Sequence, residues 1–205
     1  MLKCHPDKCK QMHIGLRECS TSKHLYTLDD KELQISNQEK DIGVIIDSSL
    51  SFDCHIATKI QKANSILGLI SRTFEYKDKK SITILYKSLV RPHLEFSNQV
   101  WAPFKKKHFI SLENVRRRAT RIRHLEYKER LLELSLPSLA YRRLRGDVIE
   151  LFKIIKGKYD TDVTEGLLHF RTSATRGHKY KLFKERARLL IRKKLVFLPS
   201  DRPME

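Results

Sequence analysis

The apolar residues change period at Asp53, and this change constrains the fold more than any other feature of the chain. Before it, apolar and polar residues alternate in short runs, as half-buried strands require. The candidate strands are residues 12–16, 24–28, 31–36 and 41–47. Asp29-Asp30 sits between two such runs, as a hairpin turn would. Gly43 interrupts the best strand and predicts a bulge or a close backbone approach. After Asp53, the residues Ile56, Ile60, Ala63, Leu67, Ile70 and Phe74 recur every three or four positions. That spacing predicts an amphipathic helix with Asp53 as its cap. Lys59, Lys62 and Arg72 lie off its apolar stripe.

Further helices follow. One starts near residue 79, with Ile82, Leu85, Leu89 and Phe96 inward, and Pro92 must kink or end it. Val100-Trp101-Ala102-Pro103 reads as a turn with a large aromatic to bury. A helix over about 107–124 presents Leu112, Val115, Ala119 and Ile122 as its apolar face. At 100° per residue Arg117 and Arg121 fall opposite that face, Arg116 and Arg123 flank one side and Arg118 the other. A short helix near 127–134 precedes a start signal at Leu136-Pro137-Ser138. The helix after it, about 139–156, has Leu144, Val148, Leu151, Phe152 and Ile155 inward and Arg142 and Arg143 outward, and Gly157 stops it. A weaker helical period covers 181–194. The expected fold class is therefore α+β: a small antiparallel β-hairpin region at the N-terminus, then a mainly α-helical bundle.

Charge divides the chain in the same way. Lys and Arg number 42 against 24 Asp and Glu, a net +18 in 205 residues. The balance is −2 over residues 1–54, +5 over 55–104, +9 over 105–145, −2 over 146–170 and +8 over 171–205. Intrahelical pairs such as Glu113–Arg117 do not account for +9 in one short block. Such a surface attracts an acidic partner, nucleic acid first, with Arg forks on phosphate oxygens.

Other chemistries find little support. Two-metal catalysis needs paired carboxylates. The nearest string, Tyr26-Thr27-Leu28-Asp29-Asp30, is one residue longer than the Tyr-x-Asp-Asp of polymerases and reads as a hairpin turn. Cys4, His5, Cys9 and His13 cluster, but no C-x-x-C pair marks a zinc site. There is no G-x-S-x-G, P-loop or G-x-G-x-x-G, and no recognition helix stands out. No apolar run is long enough for a transmembrane helix, and the first residues lack the apolar stretch of a secretory leader. Lys and Arg mixed through the apolar positions of 181–194 make a poor membrane-surface helix. The expected location is intracellular, nucleus or cytoplasm, not secreted, with the four cysteines reduced. The expected state is a monomer with no membrane contact.

Several strings, taken in order, point further. They are Met12-His13-Ile14-Gly15, Lys40-Asp41-Ile42-Gly43-Val44, Lys62-Ala63-Asn64 and Ile66-Leu67-Gly68-Leu69-Ile70. Next come Leu85-Tyr86-Lys87-Ser88-Leu89-Val90-Arg91-Pro92-His93-Leu94-Glu95, Val100-Trp101-Ala102-Pro103 and Leu112-Glu113-Asn114-Val115. Arg117-Arg118-Ala119-Thr120, Arg142-Arg143-Leu144-Arg145-Gly146-Asp147 and Thr175-Arg176-Gly177-His178 complete the series. The chain resembles, over residues 2–180, the C-terminal part of reverse transcriptases of non-LTR (LINE, jockey-like) retrotransposons. Arg116 departs from that pattern, standing where Gln is usual, and the last residues do not match it.

The resemblance implies three parts. Residues 1–54 are the end of a palm, with Asp41, Ile42, Gly43 and Val44 as a primer-grip-like hairpin. Residues 55–170 are a helical thumb, and residues 171–205 are a partly disordered basic tail. It implies a fragment that binds the backbone of RNA or RNA–DNA duplex through Lys59, Lys62, Arg72, Arg116, Arg117, Arg118, Arg121, Arg123, Arg142 and Arg143. The catalytic carboxylates and the Mg2+ they hold belong to the intact parent enzyme. The expected chain is thus not an enzyme alone and needs no cofactor. The alternative is a relic of a decayed element with no retained activity.

Overall fold

The computed structural model describes residues 5–15, 26–75, 78–121 and 125–164, together with Leu182. The chain packs as two units, residues 1–121 and 122–205. It is α+β, with short strand pairs first and helices after them. The expected division after residue 54 runs through the first unit.

Six short strands open the first unit: β1 (Lys10–Gln11), β2 (Thr27–Leu28), β3 (Lys31–Glu32), β4 (Gln34–Ile35), β5 (Gln38–Asp41) and β6 (Val44–Asp47). β2 and β3 form the expected antiparallel hairpin, with Asp29 and Asp30 both at positive φ in its two-residue turn. Asp tolerates that conformation better than most residues. β1 pairs with β4 in parallel, an addition to the expected antiparallel set, and β1 precedes rather than occupies residues 12–16. β5 and β6 form the longest ladder, from Gln38 opposite Asp47 to Asp41 opposite Val44.

The strand expected over 41–47 is therefore a turn and a strand. Ile42 (φ 43°) and Gly43 (φ 82°) form a two-residue hairpin tip. Two successive positive φ values give the turn whose twist matches the strands, and glycine makes it affordable. Gly43 ends a strand at a tip and does not bulge one.

Asp47 then shapes the entry to the helices. Its carboxylate accepts from the backbone N–H of Ser51 (3.0 Å) and Phe52 (2.7 Å) and from the Ser49 hydroxyl. Burial raises its pKa, but these bonds outweigh burial and hold the carboxyl below its usual range. Asp47 thus performs the local tethering expected of Asp53, which lies one residue inside the helix, after a left-handed Phe52.

α1 (Asp53–Thr73) buries Ile56, Ala63 and Ile70. α2 (Lys79–Leu85) starts on Asp78, whose side chain accepts from Ser81 N. A π-helical turn, Tyr86–Val90, joins it to α3 (Arg91–Glu95). Pro92 has no N–H and crowds the preceding turn. The Arg91 N–H reaches back five residues to Tyr86 O, and the widened turn lets the helix pass the proline. The extra residue in that turn shifts the inward stripe. Tyr86, Val90 and Leu94 are buried, whereas Leu89 and Phe96, expected inside, are exposed.

The Trp101 segment is α4 (Asn98–Trp101), a single turn in place of an irregular one. Trp101 is buried, and its Nε1 donates to Phe96 O at 2.6 Å. α5 (Lys106–Ala119) completes the first unit and packs along α1 with Leu112 and Val115 inward.

In the second unit, α6 (Tyr127–Glu133) begins with a reciprocal Glu126–Glu129 capping box. α7 (Leu139–Ile155) begins at Ser138, whose Oγ accepts from Tyr141 N. It ends with Gly157 at φ 58° and bonds from Gly157 N to Ile154 O and from Lys158 N to Lys153 O, the paired closure that a left-handed glycine permits. α8 (Thr161–Thr164) follows. The buried face of α7 is Leu139, Arg143 and Asp147, while the expected inward residues Val148 and Phe152 are exposed. Arg143 and Asp147, of opposite charge, stand one turn apart on that face. The helix expected over 181–194 lies outside the described residues, apart from Leu182.

Candidate nucleic-acid interface

The β5–β6 hairpin rests on α1 through a buried histidine. His55 is fully buried, its Nδ1 accepts from Ile45 N at 3.1 Å, and its ring lies 5.3 Å from that of Trp101. Burial, with the nearby Lys59 charge, lowers its pKa to about 4. Neutral His55 can accept a bond that imidazolium cannot. This contact orients β6, and with it the tip at Ile42-Gly43, against the helices.

The tip meets Phe96. A Cβ at Gly43 would lie 3.2 Å from Phe96 Cε1, a tight contact at which the ring would have to give by a few tenths of an ångström. Ser97, at φ 50°, ends α3 and turns the chain there, and Trp101 holds the Phe96 carbonyl. Lys59 Nζ stands over the ring, 5.3 Å from its centroid. His93 belongs to the same surface: burial lowers its pKa, and the charges of Lys59 and Lys62 lower it further. Lys59, Phe96 and Gly43 thus form one basic and aromatic patch, with His93 within electrostatic reach of Lys59 and Lys62.

A second basic region lies across α1. Lys59 and Lys62 flank its buried stripe on one side, and Asn64 and Ser71 flank it on the other by helical projection. Arg118 Nη1 donates to Asn64 Oδ1 at 3.2 Å. Arg118 and Arg121 rim a groove of about 430 Å³, whose walls include Asn64, Ser71, Leu67, Ile82 and Tyr86. Tyr86 is buried, and burial raises its pKa to about 12. Arg117 is exposed near this end of α5, and Arg72 is exposed on the outer side of α1.

Two expected phosphate ligands are corrected. Arg116 is 1% exposed, one turn beyond Leu112 on the core stripe of α5. Its Nη1 lies 3.6 Å from Glu113 Oε1 and its guanidinium 5.9 Å from the Tyr86 ring centroid. Arg143 is 2% exposed in the second unit. Neither offers a fork to a phosphate. Arg142 is half-buried on α7, and Arg123 lies outside the described residues. Of the hairpin residues, Val44 is buried, whereas Asp41 and Ile42 are exposed.

A third cluster ties the helix starts together. Lys105 Nζ contacts both Asp53 carboxylate oxygens at 2.7 Å, His108 Nε2 lies 2.7 Å away and Lys107 Nζ 3.3 Å. The Lys105 hydrogen bond is the largest influence on Asp53. Burial opposes it, and His108 and Lys107 add to it, so the carboxyl is held well below the usual range. Asp53 therefore neutralises part of the Lys105–Lys107 charge and joins the first turn of α1 to that of α5.

Sequence reasoning missed Phe96 as a surface group, because the π turn at Tyr86–Val90 shifts the inward row and leaves no signal in the apolar spacing. It missed the Asp53 clamp because its partners are more than fifty positions away. Among the described residues, no group of three His, Cys, Asp or Glu side chains is arranged to hold a metal ion. No helix among them is long and apolar enough to cross a membrane. The chain matches no family model, no curated protein and no solved structure.

Proposed function

We propose that the first unit is the nucleic-acid-holding part of a reverse-transcriptase-like protein of the non-LTR type. In this reading the β5–β6 hairpin serves as a primer-grip-like element and the helices as a thumb that holds template–primer duplex by its backbone. The observation that carries it is the seating of the Ile42-Gly43 tip on Phe96 beside Lys59 and Lys62. A hairpin and a basic helical face, recognised separately by their strings, meet there in one surface. Lys59, Lys62, Arg117, Arg118 and Arg121 are the proposed phosphate ligands, with Arg72 peripheral. Arg116 and Arg143 are left out because they are buried.

Binding of this kind is insensitive to sequence and sensitive to salt. With about six phosphates neutralised, affinity falls on the order of a thousandfold between roughly 50 and 200 mM salt. Titration of a labelled RNA–DNA duplex by fluorescence anisotropy reads this slope, and weak binding independent of salt would refute the proposal. Replacing Arg117 and Arg121 together by Ala lowers affinity for all sequences alike, whereas an effect on one sequence only would contradict backbone contact. The chain alone is read as a binding module, so primer extension yields no product above a vector control. A heat melt followed by circular dichroism separates this reading from a decayed relic: the module unfolds cooperatively and the relic gives a featureless trace.

A further inference from the structure

The duplex-holding role leaves one feature of the patch unused. Phe96, a large aromatic residue, is 47% exposed. Its backbone is anchored by Trp101 Nε1 at 2.6 Å and by the left-handed Ser97. Its edge lies close against Gly43, where an added Cβ would stand 3.2 Å from Phe96 Cε1. A cation stands over it, and a second basic side chain, Lys62, lies close enough to influence neighbouring His93. Ile42, next to Gly43 at the hairpin tip, is 84% exposed.

An exposed ring with an ammonium group over it is the arrangement that takes an unpaired base on its face and the adjoining phosphate on its lysine. A duplex backbone offers no base face to such a ring, because its bases are stacked on one another. An unpaired overhanging nucleotide does.

We propose that Phe96 is a base-stacking residue for an unpaired nucleotide at the end of a duplex, with Lys59 and Lys62 taking the phosphate of that nucleotide. Lys59 then moves its ammonium from the ring to the phosphate, while its alkyl stem stays against Phe96. The hairpin tip sets where along the strand the stacked base lies. This inference rests on the duplex-binding reading and adds to it a preference for substrate form.

The test uses the full chain and two probes: a short blunt RNA–DNA duplex, and the same duplex with one unpaired 3′ nucleotide carrying 2-aminopurine. One stacked base gives about a five- to hundredfold preference for the overhang, with a change in 2-aminopurine fluorescence on binding. Phe96→Leu keeps apolar bulk against Gly43 but has no π-face. It loses the preference and the fluorescence change, so that it binds the overhang and blunt probes with equal affinity, whatever that affinity is. Phe96→Trp retains both, and a melt of each variant verifies the fold. Equal binding of the two probes by the wild-type chain, or an overhang preference that survives in Phe96→Leu, overturns the stacking role and leaves duplex binding standing. Failure to bind either probe overturns both.

Discussion

Acidification from neutral pH weakens the first unit through His55. The imidazole is fully buried and accepts a hydrogen bond from Ile45 N through Nδ1. Protonation removes that acceptor and puts an unpaired charge beside Trp101 and Lys59. The pKa falls from 6.5 in the open chain to about 4 in the folded one. Between these values the unfolded chain binds a proton that the folded chain does not, so stability falls as the pH falls. At about 1.4 kcal/mol per pH unit the loss is about 3 kcal/mol, complete near the folded pKa. That is a large share of the roughly 5–15 kcal/mol that stabilises a typical domain. Urea melts at stepped pH, followed by circular dichroism, read the slope directly. The control is His55→Asn, whose Oδ1 can still accept from Ile45 N but does not titrate. It is less stable at neutral pH and has a flatter profile between pH 6.5 and 4. Wild type and variant with the same slope in this window would show that another group carries the acid sensitivity and refute the argument.

Other outcomes follow from the same contacts. Asp53→Asn weakens the clamp with Lys105, Lys107 and His108. Because the carboxylate is partly exposed and screened, the cost is about 1 kcal/mol or less at neutral pH, checked by urea melts. The stability lost with this carboxylate disappears as pH falls below the ordinary Asp range, the sign expected for a depressed acid and a window separate from that of His55. Gly43→Val, forced to φ 82° and against Phe96, costs about 1–3 kcal/mol, readable as a shift in melting midpoint. Trp101→Ala removes a buried ring and the bond that holds the Phe96 carbonyl, with a loss of about 3–5 kcal/mol in the same melts. Arg116→Met leaves the salt slope of nucleic-acid binding unchanged, since the guanidinium is not at the surface. A shallower slope by about one would return Arg116 to the phosphate ligands.

The class of fold, the order of its elements and most helix limits were legible in the sequence. The change of period at Asp53, the start at Ser138 and the stop at Gly157 depend on neighbours a few residues away. Helix geometry and capping act over that same range, so local pattern is enough to read them. The face each helix buries is different. It is chosen by whatever packs against it, and periodicity offers two or three candidate stripes. Arg116 lies one turn from Leu112 and shares its stripe, although its type argues for the surface. The π turn before Pro92 moved the inward row to Tyr86, Val90 and Leu94, leaving Leu89 and Phe96 outside.

The candidate site divides along the same line. The charge blocks and the Asp41-Ile42-Gly43-Val44 string marked out, from sequence alone, a basic helical region and a hairpin. Only the tertiary structure decided that Lys59 and Lys62 belong with Gly43 and Phe96, that Arg118 and Arg121 lie across α1, and that Arg116 and Arg143 are withdrawn. Charge is a property of each residue and can be counted along the chain. Convergence is a property of packing, and it was set here by His55 bonding to β6, by the glycine that admits Phe96, and by Asp53 reaching Lys105 across 52 positions.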